Sequence, residues 1–566
     1  MFNPTDQQRN ILNCNENCVV IAGPGSGKTT TIAYKINEVA SQLSWYQGIA
    51  AISYTNKASN ELKEKTKSLC DDLKNSFFGT IDSFYIGNII IPFGKRFFGL
   101  PEKIVVVEKL NSSNDDYIKK VIDSINTVLE KYREVPLKEI EAQNIKPLYE
   151  INNGYLKFIS SKFKEGIFDL RLVGGISNLI FLSSRSCRNY FLSRYKYLFI
   201  DEFQDSGRDQ YYLFLRIAEI GVKSWAIGDV NQSIFRFANK SSDYLKDLLK
   251  RKSFNHFPMN INHRCHQSID LYGRKLLGYS EQPTSDENRV YKICVNGTEC
   301  DIGGWFESEL EEIKSRFQIS NNSSIGILAR KDITLKKFLE RINIPHKLFN
   351  KTILDEDQSL CGKLLEKILH LSFNEKQTIY NFIDDYFDRE YGLHRTVIKK
   401  ASKLLNIFRT KLIDYKSGRI NDTQCILDVF KELTVYIYPH ADNQNALVNL
   451  HYILKNKEQL DDFIPAKENE IQLMNLHKSK GLEFEVVVHL DLYQFILPEY
   501  DWIVKGDVNV YNDSLNLHYV GVTRARKSLF LTTSTKRFQI SSGAFINAQQ
   551  SEFLSGEMEA FHEHWS

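Results

Sequence analysis

The chain has 566 residues, 42% hydrophobic and 25% charged, which is too long for a single core and suggests about four domains. Its formal net charge of +3 excludes a polycation, so any nucleic acid it binds must meet basic residues gathered in a groove. No apolar run reaches the roughly 18 residues of a membrane helix, and the nine scattered cysteines match no zinc spacing, which points away from a membrane and a structural metal and toward reduced thiols in the cytoplasm.

Met1-Phe2-Asn3-Pro4 leads into Thr5-Asp6-Gln7-Gln8 rather than into a secretory signal. A glutamine amide carries both a donor and an acceptor and can read the N6/N7 edge of adenine. Gln8 is a candidate for that task, with a plain helix surface as the alternative. Val19, Val20 and Ile21 then form a short β-branched run that reads as a buried parallel strand. It ends in Ala22-Gly23-Pro24-Gly25-Ser26-Gly27-Lys28-Thr29-Thr30, a phosphate-binding loop that opens a helix. Glycines let successive backbone N–H groups close around phosphate oxygens. Lys28 reaches the β- and γ-phosphates, Thr29 ligates Mg²⁺, and the helix N-terminus adds its partial positive charge. Ala22 stands where the first glycine of such loops is usual.

Gly48 to Thr55 is a second apolar strand, and its end, Thr55-Asn56-Lys57-Ala58, runs into a charged helix. Polar groups at the C-terminal end of a parallel strand face the ligand side of the sheet. Gly79-Thr80-Ile81-Asp82-Ser83-Phe84 occupies a similar position. From about Pro101 to Arg194 helical periods rich in Lys, Glu and Asn read as an insertion. Tyr197 to Ile200 returns to a buried strand capped by Asp201 and Glu202. The aspartate is placed to hold Mg²⁺ and the glutamate to polarise an attacking water.

Trp225 to Asp229 is a further strand, followed by Gln232, a candidate γ-phosphate sensor. Phe235 and Phe237 offer faces on which bases could stack, or could equally pack a core. Asn262-His263-Arg264 reads as a helix start, with Arg264 a candidate trans-acting arginine and His263 a platform for adenine. A second α/β unit follows: a strand at Ile325 to Ala329, a helix at Leu335 to Ile342, and a strand from Ile344-Pro345. About Leu354 to Pro465 reads as helical, with Leu364, Leu365, Ile368 and Leu369 at helical spacing. Strands return at Ile471 to Leu476 and Phe484 to Leu490, bracketing His477-Lys478-Ser479-Lys480-Gly481-Leu482-Glu483. Leu517 to Arg526 reads as a helix carrying Arg524, and Leu529 to Thr533 as a closing strand.

The order of these motifs resembles the UvrD/Rep type of superfamily 1 DNA helicase. The likeness rests on Gln8, AGPGSGKT (22–29), YTNKA (54–58), GTIDSF (79–84), IDEFQDS (200–206), IGDVNQSIFRF (227–237), NHR (262–264), LHKSKGLEF (476–484) and YVGVTRAR (519–526). The short length and GTIDSF...IIIPF (79–93) are most similar to the compact helicase subunit of Gabija anti-phage systems. The resemblance implies an α/β fold of two RecA-like P-loop domains, each a parallel sheet flanked by helices and each with a helical insertion. The first domain would take 1–100 plus 195–260, its insertion 101–194, the second 261–353 plus 466–566, and its reduced insertion 354–465. ATP and Mg²⁺ would sit between the lobes. Gln8 and His263 would hold adenine, Lys28, Thr29 and Asp201 phosphate and metal, and Glu202 would activate water. Gln232, Arg264, Glu483 and Arg524 would couple loss of the γ-phosphate to movement. Thr55, Asn56, Phe84, Phe235, Phe237 and His477 would touch single-stranded or partly duplex DNA, travelled 3′ to 5′. An OLD-type nuclease is the implied partner in a hetero-oligomer.

His263, Phe237, Ala238 and Asp82 stand where the family usually has Tyr, Trp, Arg and His. These changes thin the DNA contacts, so ATP hydrolysis is better supported than processive strand separation. The competing reading is a nucleotide- and DNA-sensing subunit that switches a partner nuclease with little unwinding of its own. A transporter or chromosome-structure ATPase would show an LSGGQ-like signature, which the chain lacks.

Overall fold

The computed structural model describes all residues except 1, 54–55, 71, 103–105, 109–113, 230–242, 285–286, 358, 376, 380–381, 384–394, 439–440 and 566, and the backbone alone at 56–57, 106–108 and 395–397. Eight strands occupy the N-terminal half: β1 (Cys18–Ala22), β2 (Gly48–Ser53), β3 (Phe77–Thr80), β4 (Val106–Glu108), β5 (Ile167–Asp169), β6 (Tyr195–Ile200), β7 (Lys223–Gly228) and β8 (Asn255–Met259). Six form a sheet of order β3-β2-β6-β7-β1-β8 with every pair parallel, while β4 and β5 pair apart from it. The C-terminal half supplies β9 (Val290–Val295), β10 (Ile325–Ala329), β11 (His346–Phe349), β12 (Ile471–Asn475), β13 (Phe484–His489), β14 (Ala525–Ser534), β15 (Lys536–Gln539), β16 (Ala544–Asn547) and β17 (Glu563–His564). Its parallel sheet runs β11-β12-β10-β13-β14-β9-β17, and β15 and β16 form an antiparallel hairpin beside it.

Both sheets are covered on two faces, which is why their strands read as continuous apolar runs rather than alternating ones. The strand period of two is still visible in where each side chain goes. Val19, Ala50, Ile52 and Ala226 join one core cluster, while Cys18, Val20, Ile49, Ala51 and Ile227 join the cluster on the opposite face. In the second sheet Leu328, Val487 and Leu529 face one way and Ile327, Val488 and Phe530 the other.

The two helical regions differ in kind. The helices Asp115–Tyr132 and Val173–Ser183 share one core with a face of the first sheet, through Val121, Ile125, Ile176 and Ile180. Helices drawn from Leu360–Phe373, Arg395–Lys416, Gln424–Ile437 and Gln444–Lys455 build a core of their own. The stretch 101–194 is not purely helical, because the β4–β5 pair lies inside it.

Two expected helix boundaries shift. The helix after Asn262-His263-Arg264 starts only at Gln267, with His266 as its cap accepting from the Ser268 N–H. The helix carrying the YVGVTRAR motif is Val508–Val522, so Arg524 lies in the turn before β14 and not on the helix. In both places a short polar run mimics a helix start or end, and boundaries are the weakest part of pattern reading.

Candidate active site

The C-terminal ends of β1, β6 and β7 meet on one edge of the first sheet. β1 ends at the buried Ala22, and the chain turns through Gly23, Pro24, Gly25, Ser26 and Gly27 into the helix Lys28–Ala40. Gly25 and Gly27 have φ of +68° and +84°, the left-handed region that glycine enters without penalty. The Ser26 hydroxyl closes the turn by donating to the Gly23 carbonyl at 2.7 Å. A second segment leans on this loop. The His263 N–H donates to the Gly25 carbonyl at 2.8 Å, and a Cβ on Gly25 would fall 2.3 Å from Asn262 Oδ1 and 2.5 Å from Arg264 Cβ.

Between them lies a pocket of about 260 Å³. Gly25 to Thr30 line one wall, Glu61 and Lys65 of the helix Asn56–Lys67 extend it, and His263, Arg264, Glu483 and Arg526 form the facing wall. Lys65 holds its ammonium 2.6 Å from the Thr30 hydroxyl.

The acids stand beneath. Lys28 Nζ is 3.6 Å from Glu202 Oε1, and the two side chains are 13% and 27% exposed. Glu202 adopts φ +56°, a conformation costly for a residue with a Cβ and found mostly where structure around it imposes it. Its carboxylate also accepts from the Gln204 amide, whose oxygen accepts from the Asp229 N–H at 3.0 Å. The Glu202 N–H in turn donates to Asp201 Oδ1 at 2.9 Å. Burial and the Glu202 charge push the Asp201 carboxyl up, with Lys28 opposing. Burial would raise Glu202 too, but Lys28, the Gln204 bond, Lys480 and Arg524 carry it below its usual range. The Lys28 ammonium is buried, yet Glu202, Asp201 and Asp229 raise it above its ordinary value. One acid thus keeps its charge while its neighbour favours a proton or a metal ion.

The two arginines stand close to this centre. Arg264 pairs with Glu483 at 2.8 Å. Arg524 is 3% exposed and donates to the carbonyls of Val520 and Leu482 and to the Thr523 hydroxyl, at 3.0 to 3.1 Å. Burial, together with the Arg264 charge, pushes it down to about 10, and Glu202 pulls the other way. Lys480 reaches across to Asp205 at 2.9 Å.

Other expected positions fare differently. Gln8 is 3% exposed and spends its amide inside the protein, accepting from the Thr5 N–H at 3.0 Å and donating to the Ser26 carbonyl at 3.1 Å. Here it braces the loop from below rather than presenting an adenine-reading edge. Phe84 is 1% exposed and packs against Phe77, Phe191 and Tyr195. It has no free face for a base, so it leaves the set of DNA contacts. Two of its aromatic partners, Phe191 and Tyr195, lie far away in sequence, which is why the motif did not reveal the enclosure. His477 is half-buried in the turn after β12, and burial with the Arg330 charge pushes its imidazole below its ordinary value. Thr55, Gln232, Phe235 and Phe237 lie outside the described residues, as does the Asn56 side chain.

Sequence reasoning passed over Lys65, Arg526 and Lys480. The last two sit inside quoted motifs. Lys65 follows Glu61 by four residues, one helical turn, the spacing that could have placed both on the pocket side.

A glycine loop closing a parallel strand, two acids at the end of another strand of the same sheet and arginines brought near them from the segment after β8 and from the turn before β14 define a P-loop nucleotide hydrolase of two lobes. The sequence matches the UvrD/REP helicase N-terminal domain over residues 4–252 and the UvrD-like helicase C-terminal domain over residues 365–536. The chain belongs to this UvrD/Rep helicase family and is an ATP-hydrolysing DNA helicase. Among curated relatives it is 25% identical to the Gabija protein GajB of Bacillus cereus (strain VD045), over 93% of this chain and 95% of that one. It is 23% identical to the ATP-dependent DNA helicase Rep of Buchnera aphidicola subsp. Schizaphis graminum, over 97% and 95%. It is 24% identical to a probable DNA helicase II homolog of Mycoplasma genitalium, over 97% and 88%.

Proposed function

We propose that ATP binding closes the two lobes over the pocket, that hydrolysis reopens them, and that this cycle moves the protein 3′ to 5′ along single-stranded DNA. What carries this reading is that Gly25 to Thr30 and Arg264 line one pocket, with Glu202 against Lys28 and the buried Arg524 near enough to act on the Glu202 charge. Lys28, the loop N–H groups and the helix N-terminus hold the phosphates. Thr29 and Asp201 hold Mg²⁺, and the donor set fits such an ion: Asp201 is a buried carboxyl beside a second negative charge, which a divalent cation relieves. When bound, the ion neutralises charge on the phosphate oxygens. Glu202, kept ionised by Lys28 and Gln204, takes a proton from the attacking water.

The arginine donors are engaged elsewhere before nucleotide arrives, Arg264 on Glu483 and Arg524 on backbone carbonyls. A γ-phosphate draws them off those partners, and Gln232 reads its presence. The lobes follow because both arginines are anchored to the second one. His263, exposed at the pocket mouth, stacks on adenine, with Gln8 bracing the loop. Thr55, Asn56, Phe235, Phe237 and His477 contact DNA. Contacts of that kind ignore sequence, as translocation requires.

Similarity to the Gabija protein GajB supports a role in anti-phage defence, and we take the partner in that role to be a nuclease of the OLD type. The deciding experiment measures ATP hydrolysis with and without single-stranded DNA, and unwinding of duplexes with a 3′ or a 5′ tail. Stimulation by DNA and a preference for the 3′ tail are expected. Turnover indifferent to DNA sinks the motor. Stimulated turnover without unwinding, in a chain that co-purifies with the nuclease, favours the nucleotide-sensing subunit instead.

A further inference from the structure

Three arginines of the second lobe stand near the nucleotide pocket, and they are not in the same state. Arg264 is held by Glu483 and Arg524 by carbonyl groups in the interior. Arg526 is exposed and lines the pocket directly. No ion pair or side-chain hydrogen bond engages its guanidinium among the described residues. Its backbone is fixed, because β14 begins at Ala525 and the Arg526 carbonyl accepts from the His266 N–H at 2.8 Å. A rigid main chain therefore aims an uncommitted cation at the cavity.

Where it aims follows from the opposite wall. Lys28 and Thr29 mark the β/γ end of a bound triphosphate, so Thr30 and Lys65, further out along the same wall, flank the α-phosphate and ribose. Lys65 already fixes one cation there through the Thr30 hydroxyl. We propose that Arg526 binds the α-phosphate and ribose end of the nucleotide, completing a cationic pair with Lys65 across the pocket. Being planar, a guanidinium can bridge two oxygens of one phosphate, which suits this position better than an ammonium would.

This assignment rests on the reading of the pocket as the ATP site and separates Arg526 from Arg264 and Arg524. Those two answer to the γ-phosphate and lose their grip after hydrolysis. A contact at the α-phosphate persists in the ADP state, so Arg526 governs how long product stays bound and how much nucleotide is needed for turnover.

The test uses the full chain and Mg²⁺ with ADP, a non-hydrolysable ATP analogue and inorganic triphosphate as probes, by calorimetry. Arg526→Ala should weaken ADP and the ATP analogue alike, by about tenfold, the loss expected for one charge-assisted contact, and weaken inorganic triphosphate too, because its third phosphoryl group fills the α position. KM for ATP should rise by a similar factor, with kcat changing far less, and Arg526→Lys should recover part of the loss. Weakening of the ATP analogue and of inorganic triphosphate with ADP unchanged would make Arg526 a γ-phosphate contact and overturn the proposal, as would unchanged affinity for all three. Thermal unfolding of each variant separates these outcomes from misfolding. If the unsubstituted chain bound ADP but showed no DNA-stimulated turnover, the motor would fail while this assignment could still be judged.

Discussion

Lys480, in the turn between β12 and β13, sets its ammonium 2.9 Å from Oδ2 of Asp205, which follows β6 and whose side chain is 1% exposed. The pair spans the two lobes near Asp201 and Glu202, and the Lys480 charge helps hold the Glu202 carboxyl below its usual range. Burial raises the Asp205 carboxyl and Lys480 opposes that rise. Removing the lysine strands a buried acid, and breaking such a pair costs about 3–5 kcal/mol. Lys480→Ala should therefore lower the unfolding midpoint and cut DNA-stimulated turnover by at least about tenfold. Adding Asp205→Asn should restore much of the stability but not the turnover. Recovery of both would mean that the pair only holds the lobes together and has no part in hydrolysis.

Lys28 and Glu202 form a contact of 3.6 Å, yet binding phosphate and activating water are separable tasks. Lys28→Ala should lose nucleotide affinity, seen as weakened binding of a fluorescent ADP. Glu202→Gln should keep that affinity and lose turnover by about 10²–10⁴-fold, the range of a general base. Equal loss of binding in both variants would demote Glu202 from base to structural anchor of the lysine.

Much of this site was legible from local pattern. A β-branched run, glycines at fixed offsets and acids at a strand end announce a phosphate site because each motif needs only neighbours in sequence. What escaped depends on long-range packing. Phe84 looked like a stacking residue, but its ring is enclosed by Phe191 and Tyr195, more than one hundred positions away. Gln8 looked like a base reader, and only the fold shows Ser26 capturing its amide. Arg526 and Lys480 belonged to recognised motifs, but their separate roles depend on which side of a turn they occupy. The fused core of the first insertion and the independent core of the second were likewise invisible, since both stretches carry the same helical period.

The buried aromatic gives its own test. Phe84→Ala removes a ring from a packed cluster, which typically costs about 3–5 kcal/mol. The expected result is a clear fall in thermal midpoint with little change in DNA affinity of the folded fraction. Weakened DNA binding at full stability would return Phe84 to the DNA path.

A hydrogen-bonded chain in the second lobe sets an acid limit. His489 donates from Nδ1 to the Leu490 carbonyl at 2.8 Å and accepts at Nε2 from His518 at 3.1 Å, and His518 accepts from the Tyr272 hydroxyl at 3.2 Å. Every ring nitrogen already has its role, so an added proton would set two donors against each other. Burial pushes His489 down to about 4 and His518 further below its ordinary value. An unfolded histidine titrates near 6.5, so between about pH 6.5 and 4 the unfolded chain takes up protons that the folded chain refuses. Stability must fall as pH drops through that window, by on the order of 3 kcal/mol for His489 alone. Denaturant unfolding at pH 7 and pH 5 should show the loss, and His489→Gln with His518→Gln should flatten it. An unchanged slope would assign the acid sensitivity to carboxylates.

Glycines 23 and 25 look alike in the phosphate loop, but the structure separates them. A Cβ on Gly23 would meet nothing within 4 Å. On Gly25, at φ +68°, it would strike Asn262 Oδ1 and Arg264 Cβ. The left-handed backbone alone costs a residue with a Cβ about 1–2 kcal/mol, and relief of the clash requires the loop and the arginine segment to part. Gly25→Ala should therefore raise KM for ATP by at least about tenfold and uncouple turnover from DNA, because Arg264 is pushed off line. One kcal/mol is a factor of about five in an equilibrium constant, so strain of this size is enough. Gly23→Ala should lose several times less. Equal defects in the two variants would mean that the loop needs both glycines for phosphate alone, and that its contact with Asn262 and Arg264 has no bearing on how the lobes communicate.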